Sequence, residues 1–126
     1  IDSIIVDMFR RIQQRHVRRV VVDALGDLAS AATDPQRLHD YLYALVQHFA
    51  VSTITSVLNF ETAGNTIAGN GIQNAMSYLS DNVLLLTVDG EQRTRRMLRI
   101  LKTRGSAHDT RVRQVEIGTA GLSIIE

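Results

Sequence analysis

The sequence predicts an α/β fold in which a mostly parallel sheet is flanked by helices and antiparallel β-hairpins extend its C-terminal edge. Three observations support this prediction. Segments with apolar residues at helical spacing alternate with short β-branched runs. An Asp89-Gly90 turn dipeptide separates two later strand-like segments. The 126 residues are 44% hydrophobic, which is enough to bury a core without disulfides.

The first two predicted elements are a helix and a strand. Apolar residues recur at helical spacing from Ile5 to Ile12, so we predict an amphipathic helix that ends near Arg15. The period then changes, and Arg18 to Asp23 is a β-branched run that ends in a carboxylate. A continuous apolar run of this kind is typical of a strand buried on both faces.

A second helix and a second strand follow. Asp34 and Pro35 form an N-cap and a first-turn proline, and apolar residues then recur at helical spacing to Phe49. The residues from Thr53 to Asn59 predict a strand that again ends in a polar side chain. We predict a glycine-rich loop over residues 64–71 and a short helix from Ile72 to Leu79.

Strands make up the rest of the chain. Val83 to Val88 predicts the third strand, which the Asp89-Gly90 turn joins to a long strand from about Arg93 to Thr103. Arg111 to Ile117 and Leu122 to Ile125 predict the last hairpin.

Composition excludes several classes of protein. The chain has no Cys, which excludes disulfide scaffolds, zinc ribbons and thiol catalysis, and it suits a cytoplasmic protein. No apolar run approaches the roughly 18 residues of a membrane span. Residues 93–113 carry eight basic side chains and one acidic side chain, and Lys102 is the chain's one lysine. A segment with this excess of positive charge faces phosphate, an acidic partner or solvent.

Polar side chains end the two predicted parallel strands. Ligands of open α/β sheets bind at the carboxyl ends of the strands, where Asp23 and Asn59 lie. The run Val20 to Asp23 has the form of a Walker B strand, whose carboxylate holds the Mg²⁺ of a nucleoside triphosphate. The alternative is that Asp23 only caps the segment that follows.

The octet from Lys102 to Asp109 is the second candidate for chemistry. If the chain stays extended there, the side chains of Lys102, Arg104, Ser106 and His108 share one face and could meet a triphosphate. The alternative is an exposed, charged turn. No phosphate-binding loop precedes Lys102, because Arg96 and Leu101 occupy the two positions where that loop requires glycine.

The sequence resembles the KaiC-like branch of the RecA ATPase superfamily. The resemblance rests on three segments in the family's order and approximate spacing: Arg19 to Ala29, Ser80 to Leu86, and above all the octet from Lys102 to Asp109. It covers nearly the whole chain but only the second half of a KaiC-like domain. The missing first half would carry the Walker A loop and the catalytic glutamates.

The resemblance implies a role for each candidate residue. In that family, subunits form hexameric rings with ATP bound between neighbours. Lys102 and Arg104 would act on the γ-phosphate held by the adjacent subunit. Thr103, Ser106 and His108 would line that nucleotide, Asp23 would be the Walker B carboxylate that holds Mg²⁺, and Asn59 would lie near the sensor position.

The resemblance also sets limits. Ser77-Tyr78 replaces the adjacent Ser and Thr that the circadian family members phosphorylate, so the second phosphorylation position is lost. Because the chain opens at Ile1 directly before an apolar periodic segment, we expect residues 1–126 to be part of a longer protein. We expect that protein to be a regulatory or signalling ATPase with protein partners, and this chain alone to be inactive. Two alternatives remain, a non-enzymatic interaction module and a DNA-engaging RecA relative, although residues 64–71 contain no basic or aromatic residue for nucleic acid.

Overall fold

The computed structural model describes residues 2–27, 34–61, 77–89 and 94–125. They form two compact units, Ile1–Leu79 and Ser80–Glu126, which we describe separately. The elements of the first unit are α1 (Asp2–Gln14), β1 (Arg19–Val22), α2 (Pro35–Val51) and β2 (Thr55–Leu58). Those of the second are β3 (Asn82–Asp89), β4 (Arg95–Thr103), β5 (Arg113–Gly118) and β6 (Gly121–Ile125). The α/β class and each of these elements agree with the sequence prediction; the predicted glycine-rich loop over residues 64–71 lies outside the described residues.

In the first unit, β1 and β2 form a parallel pair in register from Arg19 opposite Thr55 to Val22 opposite Leu58. The longest helix, α2, begins as predicted, with the Asp34 carboxylate accepting a hydrogen bond from the Gln36 backbone N–H at 2.9 Å and Pro35 in the first turn. This cap satisfies one of the backbone donors left unpaired at a helix start. The parallel strand pair and the capped helix together give this unit the α/β arrangement that the sequence predicts.

Two groups of buried side chains form the core of this unit. One joins α1 to α2 and the segment before β2, and the other lies where β1 and β2 end. The members are Ile12, Leu45, Phe49 and Ile54 in the first cluster and Leu25, Leu38 and Leu42 in the second. Val20 packs on the first cluster and Val22 on the second, so the helices hold one face of the sheet.

The prediction that β1 is buried on both faces is wrong. Exposure alternates along the strand, and Val21 is 66% exposed. Its neighbour across the pair, Val57, is 53% exposed. The physical reason is that Val20 and Val22 point toward the helices, whereas Val21 and Val57 point to the face that no described residue of this unit covers.

The second unit is a four-stranded antiparallel sheet in the order β3-β4-β5-β6. The predicted antiparallel pairing is confirmed, and β3 pairs with β4 over eight residue pairs from Asp89 opposite Arg95 to Asn82 opposite Thr103, so Asp89 belongs to the strand and not to the predicted turn. Within the described ranges, β3 pairs with β4 and not with the parallel strands, so the strands divide into two sheets instead of one. β3 is an edge strand, and its Leu84, Leu86 and Val88 are exposed.

One irregularity interrupts the ladder between β3 and β4. Val83 lies opposite Lys102, but Leu84 lies opposite Ile100, so β4 contains one extra residue, Leu101, at a β-bulge. A bulge breaks the alternation of side chains between the two faces of a sheet. Lys102 therefore lies on the same face of the sheet as Val83. Without the bulge, alternation along β4 would place Lys102 on the same face as Ile100 and Leu84.

Candidate functional site at the strand ends and the Lys102–Asp109 segment

Backbone hydrogen bonds place Asn59 beside the end of β1. The Asn59 N–H donates to the Val22 carbonyl at 2.9 Å, and the Leu25 N–H donates to the Asn59 carbonyl at 2.8 Å. These bonds extend the parallel pairing by one step beyond each strand, so the side chains that follow β1 and β2 meet at one edge. Leu25 is 2% exposed, and its burial anchors the segment after Asp23.

Asp23 and Asn59 are in contact at this edge. The Asn59 Nδ2 donates to the Asp23 Oδ1 at 3.2 Å, and both residues are exposed. The Asn59 amide therefore orients the carboxylate while leaving it accessible. The structure thus brings together the two residues that the sequence placed at the carboxyl ends of neighbouring strands.

The donor set at this edge suits magnesium bound together with phosphate. Mg²⁺ takes hard oxygen ligands, and in nucleotide sites it uses one or two carboxylates with the phosphates and water. Among the described residues, no cluster of three or more His, Cys, Asp or Glu could hold a metal ion by itself. Asp23 supplies one such carboxylate, which fits a metal that arrives with a nucleotide.

Lys102 and Arg104 lie in the second unit, and neighbouring residues hold both. The Lys102 Nζ is half-buried and donates to the Ser80 carbonyl at 2.9 Å. The Arg104 Nη1 lies 2.9 Å from the Asp81 Oδ1, and the Arg104 N–H donates to the Asp81 carbonyl at 2.8 Å. Both cations are therefore fixed to the two residues that precede β3.

The expectation that Lys102, Arg104, Ser106 and His108 share one extended face is wrong beyond the strand. β4 ends at Thr103, which is half-buried, and residues 104–105 form a turn. Gly105 has a φ of +79°, a conformation that side chains other than glycine's rarely adopt. The turn ends the alternation of side chains, so the strand geometry does not place Ser106 and His108 on the face of Lys102.

Asp109 anchors the far end of this segment. Its carboxylate accepts hydrogen bonds from the Arg111 Nε, Nη2 and backbone N–H and from the Arg113 Nη2, at distances from 2.8 to 3.2 Å. Arg113 belongs to β5, so this network attaches the loop to the sheet. The hydrogen bonds from Arg111, and then from Arg113, hold the pKa of Asp109 well below its ordinary value.

The family model described as the KaiC ATPase matches the chain from residue 1 to residue 126. The chain belongs to the KaiC family of ATPases. The circadian clock protein KaiC3 of Synechocystis sp. is a relative of this KaiC-family chain, 30% identical over 115 residues. That alignment covers 90% of this chain and 22% of KaiC3, so the chain spans about a fifth of its relative.

A solved structure supports the KaiC-like fold. The crystal structure of a KaiC-like protein from the archaeon Pyrococcus horikoshii matches with a TM-score of 0.81 at 19% sequence identity. The match covers 99% of this chain and 56% of the archaeal protein. At this identity the similarity shows the fold alone, and it confirms the predicted RecA-like architecture. None of the described helices is long and apolar enough to cross a membrane.

Two contributors to the candidate site were not predicted from the KaiC-like sequence motifs. Ser80 and Asp81 belong to the segment from Ser80 to Leu86 that carries the family resemblance, which does not predict their contacts with Lys102 and Arg104. The turn dipeptide does not give these contacts, because counting outward from Asp89-Gly90 places Asn82 opposite Met97, whereas the structure places it opposite Thr103. The bulge at Leu101 also has no signature in the sequence.

The hydrogen bonds to Asp109 predict a specific response to acid. Because the folded pKa lies below 3.8, their contribution to stability is complete at neutral pH and is lost only as the pH falls below that value. Carbon-detected NMR should give a midpoint for the Asp109 carboxyl below 3.8. Arg111→Gln should raise this midpoint, whereas Arg95→Gln should leave it unchanged. A midpoint at the ordinary value in the unaltered chain would contradict the prediction.

Proposed function

We propose that this chain is the C-terminal half of a RecA-like domain in a longer protein that binds and hydrolyses ATP between the subunits of a hexameric ring. The observation that carries the proposal is the Asp23–Asn59 contact of 3.2 Å at the carboxyl ends of two parallel strands, in a chain of the KaiC ATPase family. Ligands of such sheets bind at this edge. The proposed setting is cytoplasmic, with protein partners in signalling or regulation.

In the proposed reaction, Asp23 holds the magnesium of the subunit's own nucleotide. The bound Mg²⁺ would neutralise charge on the phosphates during transfer. Asn59 donates to Asp23 Oδ1 and so directs the carboxylate toward the nucleotide edge. The strands fix both residues through the backbone bonds that follow Val22 and Leu58. The site is thus preorganised, which electrostatic catalysis requires.

Lys102 and Arg104 supply positive charge to the nucleotide of the adjacent subunit. The side chain of Arg104 is 60% exposed, which suits contact with a partner. Lys102 is half-buried on the Ser80 carbonyl, so in this proposal its ammonium divides its hydrogen bonds between that carbonyl and phosphate oxygen. By the family resemblance, Thr103, Ser106 and His108 would line the same nucleotide, with Ser106 and His108 placed beyond the turn at Gly105 and not on the face of Lys102.

The decisive experiment removes the charge of Asp23 in the full-length protein. Asp23→Asn keeps the shape of the side chain but weakens magnesium binding, so we expect ATP hydrolysis to fall by at least about 10²-fold. The fall should be partly offset by excess Mg²⁺ or Mn²⁺. Steady-state phosphate release at several metal concentrations measures both effects.

The matched control for that experiment is Asp40→Asn. Asp40 is an exposed carboxylate on α2 that accepts a hydrogen bond from the Gln36 side chain, so this substitution removes the same charge from the same unit. We expect its turnover to equal that of the unaltered protein. Full activity in Asp23→Asn would refute the assignment of the metal site to β1.

A further inference from the structure

Ser80 and Asp81, the two residues before β3, contact the side chains at the end of β4. The Lys102 Nζ donates a hydrogen bond to the Ser80 carbonyl at 2.9 Å. The Arg104 Nη1 lies 2.9 Å from the Asp81 Oδ1. The Arg104 backbone N–H also donates to the Asp81 carbonyl at 2.8 Å. Arg104 is therefore held at two points, its backbone and its terminus.

The register of β3 and β4 places Asp81 beside Arg104. Asn82 opposite Thr103 is the last pair of the β3–β4 ladder, so Asp81 and Arg104 are the next residues on each side. The bulge at Leu101 adjusts the register of β4 just before Lys102. Bulges at such positions re-aim the side chains that follow them. The placement of Asp81 beside Arg104 is thus set by backbone geometry.

We propose that Asp81 is a positioning residue that holds the Arg104 guanidinium in the orientation needed to contact the nucleotide of the adjacent subunit. The inference rests on the proposed function, in which Arg104 acts on that nucleotide. Arginine has a long side chain with many rotamers, and its guanidinium has five N–H donors in a rigid plane. The contact of 2.9 Å between Nη1 and the Asp81 Oδ1 restricts the rotamers that the Arg104 side chain adopts.

The exposure of the pair favours a positioning role over a stabilising one. The side chains of Arg104 and Asp81 are 60% and 68% exposed, and ion pairs this exposed contribute little to folding stability. A carboxylate near a triphosphate also repels it. Asp81 alone would therefore weaken nucleotide binding. Ordering the arginine before the reaction offsets this repulsion, because it removes an entropic cost from the transition state.

The test compares Asp81→Ala with the matched control Asp89→Ala in the full-length protein. Asp89 is an exposed carboxylate at the other end of β3 and lies opposite an arginine, Arg95. We expect Asp81→Ala to lower kcat for ATP hydrolysis by about 10- to 100-fold, with KM for ATP changed by less than about threefold. Asp89→Ala should keep the original kcat, and Asp81→Glu should recover part of the loss.

A double-mutant cycle shows whether Asp81 acts through Arg104. Because a positioning residue has no effect once its target is gone, Asp81→Ala combined with Arg104→Ala should be no slower than Arg104→Ala alone. Multiplied losses in the double variant would overturn the inference. Asp81→Asn, which keeps the side-chain shape, is the second variant if circular dichroism shows that Asp81→Ala does not fold.

The remaining outcomes separate this inference from the proposed function. Normal kcat in a folded Asp81→Ala protein, together with severe loss in Arg104→Ala, would overturn the positioning role and leave the proposed function intact. Normal turnover in Arg104→Ala would instead overturn the proposed function. A rise in KM with unchanged kcat in Asp81→Ala would also overturn the inference, because it would indicate a role in ground-state binding.

Discussion

Replacing Arg104 by alanine in the full-length protein is expected to lower ATP turnover by about 10³- to 10⁵-fold, the range found when an arginine that stabilises phosphoryl transfer is lost. The fold should survive, because the Arg104 side chain is 60% exposed and lies beyond the end of β4. Lys102→Arg should also be damaging, since a forked guanidinium does not replace a compact ammonium on the Ser80 carbonyl. Steady-state phosphate release and circular dichroism measure the two properties.

Mixed rings test whether Arg104 acts on the neighbouring subunit. Neither an Arg104→Ala subunit nor a subunit that lacks its phosphate-loop lysine should be active alone. Combined, they should recover part of the turnover, because some interfaces then join an intact loop to an intact arginine. Mixed rings that assemble but remain inactive would show that Arg104 does not act in trans, and the segment from Lys102 to Asp109 would then be a charged structural turn.

Phe49→Ala should have the largest effect on stability, a loss of about 3–5 kcal/mol in the free energy of unfolding of the first unit. Phe49 is 1% exposed and packs with Ile12, Leu45 and Ile54, so truncation leaves a cavity between helix and sheet. Whole small domains are stable by only about 5–15 kcal/mol. Urea denaturation followed by circular dichroism should therefore show a large decrease in the transition midpoint.

Tyr43→Ala is the matched control on the same helix. Tyr43 is 52% exposed, and substitutions at such surface positions usually change stability by less than about 0.5 kcal/mol. If Phe49→Ala and Tyr43→Ala shifted the midpoint equally, the assignment of the core between α1 and α2 would be wrong.

Local signals explain why most of the fold was predictable. The start of α2 is determined within three residues by Asp34, Pro35 and the Gln36 N–H. The Asp89-Gly90 dipeptide correctly predicted that β3 pairs with β4, but not the register, in which Asp89 lies opposite Arg95. Asp23 and Asn59 meet because each directly follows a parallel strand, a relation that the strand boundaries determine. In each case the relevant information lies in a few consecutive residues.

The features that the sequence did not reveal depend on contacts between distant residues. The exposure of Val21 depends on which face of β1 the helices cover, and a β-branched run does not specify this. The bulge at Leu101 depends on how β3 and β4 fit together, and it changes the face on which Lys102 lies. The Asp81–Arg104 pair joins residues far apart in sequence. Such relations arise only when the sheet has formed.

The exposed edge of β3 has a practical consequence for work on this chain alone. Among the described strands, β3 has a neighbour on one side only, and its Leu84, Leu86 and Val88 are exposed, so it is a template for adding another strand. Preparations of the 126-residue chain should therefore self-associate edge to edge as concentration rises. This strand pairing would be insensitive to nucleotide, so a larger species seen by gel filtration that does not respond to nucleotide would be no measure of ring assembly.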